Sequence, residues 1–144
     1  MTFTDCLWDR RSISAILMDR AGRHGDRVFF HYADRSYTYE RLRGESDRLA
    51  AGLRGMGVGK GDRVCVMMNV SDDYLLLWFA LSRLGAVEVP INTAYKGAFL
   101  EHVLNNASAR WIIVAAEYVP RLVESEANLP HLERAIVVGP MPAG

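Results

Sequence analysis

The sequence predicts an α/β fold with a mainly parallel sheet and helices on its faces, and three observations carry that prediction. Residues 64–68 (VCVMM) and 86–89 (AVEV) are short apolar runs, the pattern of strands covered on both faces. Between them, Tyr74 to Leu84 is apolar at almost every position, with Ser71, Asp72 and Asp73 in front and Gly85 behind. Strand, helix and strand in about thirty residues make a βαβ unit, whose right-handed crossover leaves the two strands parallel.

Length and charge set the outer bounds. At 144 residues the chain is the size of about one domain and can bury a core of its own. Half the residues are hydrophobic, and 17 basic side chains balance 17 acidic ones, which argues against a broad nucleic-acid surface. Cys6 and Cys65 suffice for neither a disulfide framework nor a zinc site. The first residues, MTFTDCLWDR, carry acids and lack the apolar stretch of a signal peptide. No apolar run reaches transmembrane length. A cytoplasmic protein with no nucleic-acid partner and no transmembrane segment is the expectation.

Residues 1–11 have no period and read as a loose arm. Ser12 is placed to cap a helix whose apolar face is Ile13, Ile16, Leu17 and Ala21, ending near Gly25. Val28 to Tyr32 and Tyr37 to Tyr39 form a hairpin around Asp34 and Arg35, although its turn lacks glycine. Thr38 caps a second helix with Leu42, Leu49, Leu53 and Met56 on one face, and Arg41, Glu45, Asp47, Arg48 and Arg54 on the other. The Tyr74 to Leu84 helix shows no wet side. After it, Gly97 to Ala107 is a helix with Phe99, Leu100, Val103 and Leu104 inward, and Trp111 to Ala115 is a strand. Pro120 suits the first turn of a helix reaching about Ala127, and Ala135 to Val138 is a last strand. Residues 139–144 (GPMPAG) are a terminal loop.

Few residues suggest chemistry. Glycines 55, 57, 59 and 61 with Lys60 resemble a phosphate loop in composition only. A Walker loop needs glycine at the position of Arg54 and Ser or Thr at that of Gly61. Phosphate loops also follow a strand and open a helix, whereas these glycines follow a helix and lead into a strand. They read as a helix C-cap and tight turn. Asp72 and Asp73 read as caps and dipole partners at a helix start rather than a catalytic pair. His24, His31, His102 and His131 have no metal-ligand spacing, and no Gly-x-Ser-x-Gly elbow is present.

Two features stay open. Glu88 interrupts an apolar strand, so it faces water or a cation at the sheet edge, or it belongs to a site. Asn92, Thr93, Tyr95 and Lys96 follow that strand's C-terminal end, where open α/β sheets place ligand crevices. Asn92, Thr93 and Tyr95 are the candidate pocket residues; no residue is a candidate for catalysis or for holding metal.

Four motifs in order resemble those of adenylate-forming enzymes, the superfamily of AMP-dependent synthetases and ligases. Tyr37-Thr38-Tyr39-Glu40-Arg41-Leu42 is similar to their opening [L/Y]-[ST]-Y-x-E-L. Residues 57–64 (GVGKGDRV) look like their G-[VI]-x-x-G-D-x-V turn and strand. Residues 81–92 (LSRLGAVEVPIN) are similar to L-x-x-x-G-A-x-x-V-P-[IL]-[ND]. Residues 104–113 (LNNASARWII) resemble L-x-D-[SA]-x-A-[KR]-x-[LI]-[IV]. The PIN ending and residues 93–97 are most like ATP-dependent acyl-CoA synthetases, including the crotonobetaine/carnitine type. The resemblance implies that residues 1–144 are an incomplete portion of the family's large N-terminal domain.

The opening motif departs from the pattern. The family's glutamate would stand at the third helical position and close a capping box with Thr38; Arg41 stands there instead. A somewhat weaker helix start is expected. A larger departure is that the phosphate loop, T-S-G-T-T-G-x-P-K, and the catalytic lysine have no counterpart in these 144 residues. For a complete relative the resemblance implies ATP, Mg²⁺ and CoA: a carboxylate attacks the ATP α-phosphate to give acyl-AMP and pyrophosphate, and the CoA thiol then displaces AMP. This chain by itself is expected to hold none of these and to be inactive. Its partners would be the rest of the ligase chain or a complementing subunit, with self-association through exposed apolar surface. A stand-alone interaction or regulatory module that keeps the scaffold is the alternative, followed by an unrelated α/β nucleotide-binding domain.

Overall fold

Three helices begin where the sequence offers a hydroxyl. In the computed structural model, which describes residues 12–140, Ser12 Oγ accepts from the Ala15 amide at 3.1 Å to start α1 (Ile13–His24). Thr38 Oγ1 accepts from the Arg41 amide at 3.2 Å to start α2 (Tyr39–Gly55). Ser71 Oγ accepts from the Tyr74 amide at 3.1 Å to start α3 (Asp72–Leu84). Each cap satisfies one of the donors a helix start leaves orphaned, worth about 1 kcal/mol. The arm at 1–11 and the end of the terminal loop at 141–144 lie outside the described residues.

The described chain forms two compact units, residues 12–58 with 71–84 and residues 59–70 with 85–140. In the first, α1, α2 and α3 pack with an antiparallel hairpin of β1 (Val28–Tyr32) and β2 (Arg35–Thr38). The second strand starts two residues earlier than the sequence suggests, because Ala33 adopts φ +49° and makes a tight turn without glycine. Tyr39, read as strand, is the first residue of α2. Leu17, Tyr37, Leu42, Leu76 and Phe79 form the core, and the Phe30 ring stacks on Tyr37 with centroids 4.5 Å apart.

Two apolar side chains expected inside this unit, Ile16 and Met56, behave differently. Ile16 is 53% exposed; the buried stripe of α1 is Ser14, Leu17 and Ala21, spaced three and four residues apart, and Ile16 lies one position off it. The Ser14 amide donates to Ser82 Oγ at 3.2 Å. Met56 is 44% exposed because α2 ends at Gly55 and Gly57, at φ +103°, turns the chain away. On α3, Asp73, Trp78 and Arg83 are exposed at five-residue intervals that fall on no single stripe, while Leu76, Leu77, Phe79, Ala80 and Leu81 are buried.

The second unit is a four-stranded parallel sheet in the order β4-β3-β5-β6, comprising β3 (Arg63–Met67), β4 (Val87–Pro90), β5 (Trp111–Ala115) and β6 (Arg134–Val138). β3 and β4, the strands on either side of α3 in sequence, are hydrogen-bonded parallel neighbours as the βαβ reading requires. Cys65, Met67, Ile112 and Val114 face a core with Leu100 and Leu104 of α4 (Gly97–Ala107) and Leu122 of α5 (Val119–Ser125). Val64, Val66 and Ile113, on the other face of these strands, are also buried, which is why β3 and β5 read as unbroken apolar runs. Phe99 is the exception among residues expected inward: it is 58% exposed, its ring edge-on to Tyr95 at 4.6 Å.

The glycine run is structural. The Gly59 amide donates to Asp62 Oδ2 at 2.8 Å, and the Gly61 amide to the Gly85 carbonyl at 2.9 Å. Gly61 and Gly85 both take positive φ, +85° and +71°, which an L side chain resists.

Candidate functional site

Because the strands are parallel, the ends of β3, β4 and β5 open on one edge of the sheet, and each delivers one polar residue there. Asn69 follows β3, Thr93 follows β4 and Glu117 follows β5. They form a chain in the spatial order of the strands: Thr93 Oγ1 donates to Asn69 Oδ1 at 3.4 Å, and Asn69 Nδ2 donates to Glu117 Oε1 at 3.0 Å. Asn69 and Glu117 are exposed and Thr93 is half-buried, so this is a wet rim rather than a sealed pocket.

The loop after β4 is shaped by its own sequence. Asn92 Oδ1 accepts from the Ala94 amide at 2.9 Å, and the Tyr95 amide donates to the Asn92 carbonyl at 3.1 Å, a tight turn of the kind asparagine favours. Asn92 Oδ1 is therefore committed to the turn. Tyr95 packs its ring on the apolar core of this unit and on Phe99. Arg121, from α5, donates through Nη1 to the Thr93 carbonyl and to the Tyr95 carbonyl at 3.3 Å, and lies over the Tyr118 ring at 4.9 Å. Of the residues singled out from sequence, Asn92, Thr93 and Tyr95 thus come together; Asn69, Glu117 and Arg121 are additional. Asn69 has a sequence signal, being at the end of a buried strand. Arg121 has none, since its contacts reach back 26 and 28 residues.

The other candidates resolve as structure. Asp72 is buried, and both of its oxygens are used: Arg35 Nη2 lies 2.9 Å from Oδ1 and 2.7 Å from Oδ2, and the Tyr37 hydroxyl donates to Oδ2 at 2.6 Å. Burial, reinforced by the neighbouring Asp72 carboxylate, pushes the Tyr37 phenol above its ordinary pKa. Asp73 is exposed at the helix start. Burial pushes the Cys65 thiol up to about 11, so it is no nucleophile at neutral pH. His31 Nδ1 is 2.8 Å from Ser36 Oγ in the hairpin. Among the described residues no group of three or more His, Cys, Asp or Glu is placed to hold a metal, and no helix is long and apolar enough to cross a membrane. Glu88 is half-buried in the edge strand β4, in register with Val64 and two residues short of the strand's C-terminal end.

A cavity of about 230 Å³ lies elsewhere in the second unit, between α5 and the strands β5 and β6, lined by Val114, Val119, Leu122, Leu129, Leu132 and Val137 among others. It contains none of the edge residues.

A model of the AMP-binding enzyme family matches residues 17–143. A medium/long-chain fatty-acid–CoA ligase of Mycobacterium tuberculosis is 34% identical over 119 residues, 83% of this chain and 20% of the ligase. A crotonobetaine/carnitine–CoA ligase of Salmonella paratyphi B is 28% identical over 127 residues, 84% of this chain and 25% of the relative. The crystal structure of the anthranilate CoA ligase AuaEII in complex with anthranoyl-AMP superposes with a TM-score of 0.83 at 28% identity, covering 96% of this chain and 27% of that one. The chain spans about a fifth to a quarter of the length of the curated relatives it matches.

Proposed function

Because the chain belongs to the AMP-binding enzyme family, we propose that it is the N-terminal scaffold of an ATP-dependent acyl-CoA ligase, inactive by itself. The observation that carries this reading is the pairing of high and low coverage: 83% of the chain aligns with only 20% of the fatty-acid–CoA ligase. The names of the relatives point to a carboxylate substrate activated as its adenylate and passed to CoA.

On this reading the 144 residues by themselves hold neither ATP, Mg²⁺ nor CoA. The glycine turn at 57–61 leads into β3 instead of opening a helix, so it presents no dipole-backed row of amides to phosphate. Among the described residues joined at the sheet edge, the carboxylate is Glu117, bonded to Asn69. What the edge offers is hydrogen-bonding and aromatic surface, and on our reading Thr93 and Tyr95, on the turn made by Asn92, line part of the substrate pocket once the rest of the active site is supplied. That supply would come from the remainder of a ligase polypeptide or from a complementing subunit, in the reducing cytoplasm that suits the free thiol of Cys65. Exposed Val28, Phe29 and Trp78 in the first unit favour self-association of the isolated chain.

ATP–pyrophosphate exchange with fatty and aromatic carboxylates tests the proposal. The purified 144-residue chain is expected to give none; exchange by this chain alone would overturn it. Sedimentation velocity over a range of concentrations is expected to show association.

A further inference from the structure

We propose that Arg121 is a positioning residue that holds the loop at 92–96 on the C-terminal edge of the sheet in the form a ligand meets. The inference rests on the reading of this loop as pocket-lining for its consequence, but not for its test. Thr93 and Tyr95, two residues apart, turn their carbonyls toward the same guanidinium nitrogen, and Nη1 has two N–H groups to give them. The guanidinium is half-buried and seated on the Tyr118 ring, so its own freedom is small before it meets the loop. The loop's remaining order comes from within: the Asn92 side chain and carbonyl hold the Ala94 and Tyr95 amides. An internal turn sets the loop's shape, and outside contacts fix where that shape sits: the Tyr95 ring lies on the core and the Thr93 hydroxyl on Asn69, while Arg121 grips the backbone carbonyls between them.

Hydrogen exchange on the whole chain tests this. In Arg121→Met and Arg121→Gln, the amides of Ala94 and Tyr95 are expected to exchange about ten- to a hundredfold faster, the effect of losing charge-assisted bonds. Residues 63–67 and 111–115 are expected to keep their protection, and Arg121→Lys, which retains the charge and donors, is expected to recover part of it. Unchanged exchange at 92–97 in both variants would overturn the proposal. So would loss of protection spreading equally through 63–67 and 111–115, since Arg121 would then be holding the unit rather than the loop. Neither result depends on whether the ligase reading stands, which pyrophosphate exchange decides separately.

Discussion

The Tyr37 hydroxyl donates to Asp72 Oδ2 at 2.6 Å, tying the hairpin to the first residue of α3 across 35 positions of sequence. Tyr37 is the first tyrosine of the motif that resembles the family's opening signature, and this bond gives it a physical purpose. A buried carboxylate costs several kcal/mol unless its oxygens are satisfied. Here the tyrosine and the half-exposed Arg35 satisfy them together. Tyr37→Phe is expected to cost about 1–2 kcal/mol, and Arg35→Met about 1 kcal/mol, discounted for solvent. The double variant is expected to exceed the sum by ~1 kcal/mol or more, because it strands the carboxylate. Urea denaturation of the four proteins measures this; simple additivity would contradict it.

Arg41 stands where a capping-box glutamate would, and sequence reasoning alone says that Arg41→Glu should strengthen α2. The structure reverses the sign. Arg41 Nε bonds Glu45 at 2.7 Å, Nη1 donates to the Ser36 carbonyl at 2.9 Å, and the guanidinium lies over the Tyr37 ring at 4.1 Å. Arg41→Glu is expected to lower stability, and Thr38→Ala to lower it by about 1 kcal/mol. A rise in thermal midpoint for Arg41→Glu would show that the cap outweighs the three contacts.

Cys65 makes stability fall with alkaline pH. Its thiol titrates near 11 in the folded chain against 9.0 unfolded. Between those values the unfolded chain has released its proton while the folded chain has not, so rising pH favours unfolding. The loss is present only above pH 9, grows to at most ~3 kcal/mol near pH 11, and levels off beyond. Tyr37, also raised from its ordinary 10.0, adds a loss of the same sign above pH 10. Stability measured from pH 8 to 11 is expected to fall less steeply in Cys65→Ala than in the parent; parallel curves would refute the assignment.

Gly85 and Gly61 separate two costs. Both have positive φ, but a Cβ on Gly85 would sit 3.1 Å from Lys60 Cγ, whereas one on Gly61 meets nothing within 4 Å. Gly61→Ala is expected to cost about 1–2 kcal/mol from backbone conformation alone. Gly85→Ala is expected to cost that much plus the displacement of Lys60. Chemical denaturation ranks them, and Lys60→Ala should bring the two closer.

Much of the fold was legible because its signals are local. The Gly97–Ala107 helix and the Trp111–Ala115 strand have the bounds read from the sequence, since glycine and β-branched runs mark them from within. The hairpin was misplaced where Ala33 takes a conformation that sequence rules reserve for glycine. Ile16 and Phe99 were assigned inward because each adjoins a true core residue, Leu17 or Leu100, and an apolar neighbour blurs a helical stripe by one position. At the candidate site the loop residues were found from their place after a strand. The contacts among Thr93, Asn69 and Glu117, and the grip of Arg121, were not legible, because pairings 24 to 48 residues apart are set by the register of the sheet.

The chain leaves the second unit after residue 70, completes the first with residues 71–84, and returns. Neither unit is a contiguous stretch, so no single cleavage point separates them. A polypeptide stopping at residue 58 would have the hairpin and two helices but lack Asp72, Leu76 and Phe79, and so would leave Tyr37 unbonded in an open core. Likewise β3 cannot meet β4 until the intervening helix has been looped out, a closure whose entropy must be met before that contact rewards it. Folding of the two units is thereby coupled through the backbone, and the segment at 71–84 is the one whose disruption should be felt in both.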